Sequence, residues 1–386
     1  MNFDLSEEHK LIRDTARCIT EERVAPRAAV IDETGQYPED IFEAFKEQGL
    51  LGISQPVEYG GSGIGMLGLG LAIEEVAKHC CASGLILLLS AFTTRPILIA
   101  GNERQKTDYV VAVARGERRG AFCLTEANAG SDVAGIQSRA RRSDTGYILN
   151  GEKCFISGTT VADYFVYFAK TDTDAGVKGI SAFLVPRNAP GVSLGQVDRK
   201  MGVEGVPSTH PLLEECRLPE ESLLGREGEG FKIAMLSLNS CRPLVGARGL
   251  GLAEGALRYS LEYARNRQAF GQTISSSQAL QFMMADMVMQ IEAARLLVYQ
   301  GACLVDQGKF GKKYAPLLST AKCFATEMAI KVSSDALQFL GGHGYMKEHP
   351  LERMYRDARQ LTLVEGTSQM QKTTIANGLL DGDISY

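Results

Sequence analysis

Apolar residues recur at three- and four-residue steps toward both ends of the chain and at two-residue steps through its middle. That pattern predicts helices on either side of a β segment. Ser6 can cap a first helix with Glu7 and Glu8 in its opening turn and Gly35 at its end. Pro38 opens a second helix carrying Ile41, Phe42 and Phe45, closed by Gly49. Beyond the turn YGGSGIG, helices are expected over about 66–78, 84–100 and 103–114. Between about 118 and 230, β-rich runs such as Tyr147 to Leu149, Tyr164 to Ala169 and Ile180 to Val185 are separated by Gly, Pro, Asn and Asp. Asn150-Gly151 reads as a hairpin turn. Helical spacing returns over about 231–267, 276–307 and 313–340, where Met283, Met287, Ile291, Ala294 and Val298 share a face. The expected fold is mixed α+β, mainly α: a helical N-terminal domain (1–117), a middle β-domain (118–230) and a C-terminal helical bundle (231–386).

Composition narrows the functions. A net charge of −5, with Lys and Arg dispersed, leaves no footprint for nucleic acid. No apolar run reads as long enough to cross a bilayer, so no membrane span is expected. The nine cysteines include no CxxC and read as reduced core thiols. MNFDLSEEHK has neither a secretory nor a transit layout, so the expected compartment is bacterial cytoplasm, or mitochondrial matrix for a trimmed chain. Gly63 to Gly68 matches GxGxxG but lacks the βαβ setting, and reads as a turn before a helix. Five histidines without HExxH spacing, and no GxSxG, argue against metal hydrolysis and serine nucleophiles; no metal is expected.

Five segments carry candidate chemistry. In Leu124 to Asp132 (LTEANAGSD) a strand gives way to a turn of small residues and hydroxyls, suited to a flavin edge or a thioester tail, or simply an ordinary turn. Phe155-Ile156-Ser157-Gly158 can lay an aromatic over a flat ring with Ser157 at its edge, or is a strand end with a core Phe. Arg267 to Gly271 sets an arginine beside a glycine turn, where it can grip a pyrophosphate or merely end a helix in solvent. Gln338 to Tyr345 has three glycines in four positions, more than one helix cap requires. Val364 to Gln369 opens a terminal helix behind the apolar, strand-like run Leu361 to Val364. A Glu365 carboxylate in a poorly hydrated cleft there would have a raised pKa and act as a strong base once water is excluded.

The ordered set LTEANAGSD, FIS, RNRQAFG, QFLGGHG and EGTSQ resembles the acyl-CoA dehydrogenase family, and the resemblance runs from Phe3 to about Leu380. It implies an α-helical N-terminal domain, a middle β-domain and a C-terminal four-helix bundle, assembled as a homotetramer built from dimers. It implies FAD as cofactor and Glu365 as catalytic base. Phe122, Leu124, Thr125, Gly130 and Ser131 then correspond to flavin and thioester contacts, and Phe155 and Ser157 to the ring-covering aromatic and the hydroxyl near the reactive nitrogen. Arg267, Phe270, Gln278, Gln338 and Gly342 correspond to contacts with the FAD of the neighbouring subunit, Thr367 and Gln369 to contacts within the same subunit. Arg242 corresponds to the arginine beside the CoA chain; Ser131, Gly366, Leu88 and Phe92 complete the implied substrate contacts. The chain departs from the family in having FIS where Trp-Ile-Thr is frequent, Ala127-Asn128 where Pro-Gly is, Val364 where an aromatic often precedes the base, and Asn377 where some relatives carry arginine.

The implied reaction is α,β-dehydrogenation of an acyl-CoA to a trans-2-enoyl-CoA, of the kind used in β-oxidation, with electrons passed to an electron-transferring flavoprotein. An enoyl-CoA reductase or acyl-CoA oxidase on the same fold, or a non-catalytic acyl-CoA-binding protein, are the alternatives. Leu85, Leu88, Leu89 and Phe92 lie on one helix face and serve either the acyl pocket or the core. Relatives that oxidise glutaryl-CoA place an arginine where this chain has Ser83, and Arg95 lies too far along to replace it. An uncharged short-to-medium, branched or alicyclic acyl group is therefore expected.

Overall fold

Ser6 begins the first helix of the computed structural model, its hydroxyl accepting the His9 N–H at 3.3 Å. The structure describes residues 4–384, so Phe3, where the family resemblance starts, lies outside the described residues. Ahead of the sheet come α1 (Glu7–Ile19), α2 (Ala28–Thr34), α3 (Glu39–Glu47), α4 (Gly65–Ala77), α5 (Cys81–Ala100), α6 (Glu103–Gln105) and α7 (Val111–Ala114). The expected single helix up to Gly35 is divided around Pro26, which has no N–H to give the preceding turn. Gly35 and Gly49 close their helices with φ of 64° and 67°, a conformation that favours glycine.

The middle of the chain forms β1 (Gly120–Cys123), β2 (Arg139–Ser143), β3 (Gly146–Glu152), β4 (Ile156–Ser157), β5 (Tyr164–Lys170), β6 (Ile180–Pro186), β7 (Val192–Leu194), β8 (Ser208–Thr209), β9 (Pro211–Pro219) and β10 (Leu223–Leu224). The main sheet runs β10-β6-β5-β2-β3-β9-β7, with β1 parallel to β5. The hairpin expected at Asn150-Gly151 is not there. The chain turns at Asp144-Thr145, where Ser143 pairs with Gly146. Asn150-Gly151 instead lies inside β3, at a register shift against β9. Asn150 is used across the strands: its amide donates to Glu215 Oε1 and its oxygen accepts the Glu215 N–H, both at 2.8 Å. Gly151 supplies the bulge, since a Cβ there would lie 2.3 Å from Ser138 Oγ. Tyr164 to Ala169 of β5 are buried on both faces, one toward Tyr147 and Phe183 and the other toward the helices.

The remainder folds as α8 (Gly230–Asn266), the short hairpin β11 (Gln268–Ala269) and β12 (Gln272–Thr273), then α9 (Gln278–Asp306), α10 (Ala315–Leu340), α11 (Leu351–Leu361) and α12 (Ser368–Leu380). The run Leu361 to Val364 is not strand-like; it completes α11 and turns, because Leu363 and Val364 donate back to the Gln360 carbonyl. GxGxxG is the turn into α4, with Gly63-Ile64 before the helix and Gly65 to Gly68 opening it, and the helix's free N–H groups are met by Asp306, whose carboxylate accepts from Met66 at 2.6 Å and Leu67 at 3.0 Å. Two helices are, contrary to the sequence expectation, long and apolar enough to cross a membrane by length and composition: α5, with mean hydropathy 1.6, and α9, with 1.2. Most of α5 is packed in the protein interior, which is why it is apolar all round.

Backbones of α4 and α8 touch. A Cβ on Gly251 would lie 2.1 Å from the Glu74 carbonyl, and one on Gly255 2.0 Å from that of Lys78. Gly251→Ala is expected to force these helices apart and destabilise the protein by about 2–3 kcal/mol, measured as a lower midpoint in chemical denaturation; an unchanged midpoint would show that the crossing is looser than this.

Candidate active site

Glu365 sits between α11 and α12 with φ of 52°, in the left-handed region, followed by Gly366 with φ of 91°. A non-glycine residue holds that conformation only when its surroundings impose it. They do so through the carbonyls. The buried Lys322 of α10 donates to the Gly366 carbonyl at 2.8 Å, and Gln371 of α12 donates to the carbonyls of Glu365 at 3.1 Å and Gly366 at 2.9 Å. Part of the Glu365 residue remains open, but its Oε2 is sealed from solvent and has no hydrogen-bond partner. Burial pushes the carboxyl up to about 7, against the opposing pull of Lys322, Arg248 and Arg242.

The same burial acts oppositely on the cations. It lowers Lys322 to about 8 and Arg242 to about 10, each partly offset by Glu365. Arg242 is held by Asn239 Oδ1 at 2.7 Å and Ser319 Oγ at 2.9 Å, while its Nε has no partner. Arg242 and Glu365, both expected in the site, are thus brought into one electrostatic neighbourhood. Lys322, Gln371 and Arg248 were missed by the sequence reading. Their signal was a charge inside an apolar face: Lys322 lies four residues after Leu318 and three before Ala325, and Arg248 four after Leu244 and four before Leu252, all buried.

A second group forms at the sheet edge. Leu124 and Thr125 leave β1 beside the segment 153–157: Lys153 donates to the Leu124 carbonyl at 3.1 Å, and the Cys154 N–H to that of Thr125 at 3.0 Å. The fully buried Lys153 pairs with Glu126 at 2.6 Å, and Glu126 also accepts from Ser138 Oγ at 2.6 Å. This ion pair fixes the loop from which Gly130 and Ser131 face solvent. Phe155 is exposed with φ of 59°, so it is not the core phenylalanine of the plainer reading. Ser157 lies 3.4 Å from Ser208, oxygen to oxygen. Phe122 is buried and stacks on Phe92 with ring centroids 4.4 Å apart, and Leu88 is wholly buried, so these three belong to the core where α5 meets the sheet.

Arg267, Phe270, Gln278, Gln338 and Gly342 are all exposed, Phe270 completely so at the tip of the β11–β12 hairpin. Within one chain nothing joins them to the sheet-edge group. Thr367 caps α12 by accepting the Met370 N–H, and Gln369 is exposed.

Three family descriptions match in succession: "Acyl-CoA dehydrogenase, N-terminal domain" over residues 6–117, "Acyl-CoA dehydrogenase, middle domain" over 121–216 and "Acyl-CoA dehydrogenase, C-terminal domain" over 228–380. The chain is 41% identical to an acyl-CoA dehydrogenase of Bacillus subtilis (strain 168), covering 97% of each chain. It is 43% identical to acryloyl-CoA reductase (NADH) of Anaerotignum propionicum, covering 98% of this chain and 96% of that one. The butyryl-CoA dehydrogenase structure from Megasphaera elsdenii superposes with a TM-score of 0.96 at 37% identity, covering 98% of this chain and all of that one.

Folding raises the Glu365 pKa from 4.5 to about 7. Between those values the folded protein keeps a proton that the unfolded chain has lost, so stability is undiminished below about pH 4.5 and falls as pH rises toward 7. Glu365→Gln removes that penalty. The variant is expected to be more stable than the parent above pH 7, by on the order of 2–3 kcal/mol, and equal to it near pH 4.5 in denaturant titrations. A gain that does not depend on pH would contradict the buried-carboxylate account.

Proposed function

The chain belongs to the acyl-CoA dehydrogenase family, oxidoreductases acting on CH–CH bonds of acyl-CoA thioesters, and on that footing we propose that it performs α,β-dehydrogenation of an acyl-CoA with Glu365 as the base. The observation that carries this reading is the sealed, unpartnered Oε2 of Glu365. A carboxylate with no bond to break and a pKa near 7 can accept the weakly acidic α-proton of a thioester at neutral pH. Among the described residues the Glu365 N–H has no acceptor either, which leaves it free to donate to the thioester oxygen as charge develops there. Lys322 and Gln371 hold both groups by gripping the two carbonyls of this turn. Arg242, buried and locked by Asn239 and Ser319, supplies positive charge to an incoming thioester.

The cofactor is FAD, and the residues present fit it. The sheet edge offers the outward Phe155 and the open loop around Gly130, where a Cβ would meet nothing within 4 Å. Gly341 and Gly342 are equally open, so backbone there can approach a ligand closely. Phe155, Ser157, Leu124, Thr125 and Ser131 hold the ring system, and Arg267, Phe270, Gln278, Gln338 and Gly342 hold the nucleotide end of a neighbouring subunit's cofactor. When bound, FAD supplies the hydride acceptor. A homotetramer is supported by the solvent-facing stripe Phe282, Met289 and Leu296, seven residues apart on α9. An electron-transferring flavoprotein is the proposed acceptor. The likeness to an acryloyl-CoA reductase favours a second reading, reduction of an enoyl-CoA; a carboxyl near pKa 7 can deliver the α-proton as readily as take it.

Glu365→Gln is expected to stay folded and yellow while losing about 10²–10⁴-fold in turnover with an artificial electron acceptor; turnover equal to the parent's would remove Glu365 from the chemistry. Comparing saturated thioester plus acceptor with enoyl thioester plus reductant decides the direction. Arg267→Ala is expected to lower flavin content and oligomer size together, read by absorbance and light scattering after dialysis. Loss of neither would overturn the shared-cofactor assembly.

A further inference from the structure

Arg248 of α8 is among the most deeply buried side chains of the protein, 1% exposed. Among the described residues it forms no salt bridge. One terminal nitrogen makes three contacts with uncharged groups: the Cys81 carbonyl at 3.3 Å, Cys81 Sγ at 3.4 Å and Gln360 Oε1 at 3.2 Å. Its Nε is shut off from solvent and bonded to nothing. A guanidinium in this state is costly, because buried charges are ordinarily paired and buried donors ordinarily satisfied. Glu365 lies within electrostatic reach, and Arg248 helps Lys322 and Arg242 pull its carboxyl down, but no ion pair or hydrogen bond joins Arg248 to it. Asp357 spends its Oδ1 on the Val203 N–H at 2.6 Å.

The place is as telling as the missing partner. Arg248 lies against the first turn of α5, beside Cys81 and Gly84, the latter presenting only backbone toward the arginine's stem. Ser83, which stands where the family resemblance implies an arginine in relatives that oxidise glutaryl-CoA, is on that same turn. Beyond it the helix continues with Leu85 and Leu88. A cation therefore reaches this turn from α8 rather than from α5.

Resting on the reading of the site as one for acyl-CoA, we propose that Arg248 binds a second carboxylate at the far end of the acyl group, making the substrate a dicarboxylic acyl-CoA. A carboxylate oxygen can accept the vacant Nε–H in a charge-assisted hydrogen bond. It also offsets the excess of Arg242, Arg248 and Lys322 over the single carboxylate of Glu365. A methyl-ended chain does neither.

The experiment pairs thioesters of equal length on the FAD-loaded protein: glutaryl-CoA against valeryl-CoA, and succinyl-CoA against butyryl-CoA. Turnover is read with an artificial acceptor, and binding by calorimetry on the Glu365→Gln variant. The parent protein is expected to favour each diacid in kcat/KM and in affinity. Arg248→Gln is expected to collapse the glutaryl-to-valeryl ratio by roughly 100-fold or more, the penalty of leaving one buried charge alone, and Arg248→Lys to keep part of it. If valeryl-CoA is used as well as glutaryl-CoA by the parent protein, the proposal is overturned while dehydrogenation stands, and this arm decides even if the variants fail to fold. Tight binding of glutaryl-CoA with no turnover of any thioester would uphold Arg248 and overturn dehydrogenation; neither binding nor turnover would overturn both.

Discussion

A carboxylate with one oxygen sealed from water and without a hydrogen-bond donor is the constraint around which the helical part of this protein is arranged. Water would satisfy Glu365 Oε2 at once, so the surroundings must exclude it while tolerating the energy of doing so. The backbone is held left-handed at Glu365 by donors aimed at carbonyls rather than at the carboxylate. That division of labour matters. A lysine bonded directly to the carboxylate would have settled its charge and lowered its basicity; bonded to the next carbonyl, it fixes geometry and contributes only a field.

The sheet edge solves a related problem with the opposite means. The loop carrying Gly130 and Ser131 is open to solvent yet fixed in place, and the pair Lys153–Glu126 holds it from beneath, with both charged groups answered. Satisfied polar groups support the sheet-edge loop, whereas Glu365, Arg242 and Arg248 in the interior each keep a buried atom without a partner. The two groups converge on α5, whose Phe92 stacks on Phe122 of the sheet and whose first turn meets Arg248 of the bundle.

Much of this was legible in the sequence. Ser6, Gly35 and Gly49 act locally and were read correctly, as was the long-range periodicity of α8, α9 and α10. Asn150-Gly151 misled because the dipeptide signals a turn only when nothing better is available to it; here Glu215, far away in sequence, takes the asparagine into the ladder and leaves the glycine as a bulge. Leu361 to Val364 misled because three apolar residues in a run of four fit a strand or the end of a helix equally well. In the candidate site, Glu365 and Arg242 had been singled out from the sequence, whereas Lys322 and Arg248 stood among apolar neighbours that gave them the look of ordinary helix residues until packing placed them near Glu365.

The capping of α4 by Asp306 has a consequence for synthesis. The N–H groups of Met66 and Leu67 wait for a carboxylate about 240 residues downstream, and Gly251 and Gly255 of α8 form the other wall against that helix. At about 5–20 residues per second, the ribosome takes on the order of 10–50 s to add those intervening residues. Through that interval α5, twenty residues of mean hydropathy 1.6, lacks α8, one of the helices packed on it. The nascent chain therefore leaves an apolar helix face uncovered for tens of seconds until the second half of the molecule closes over it.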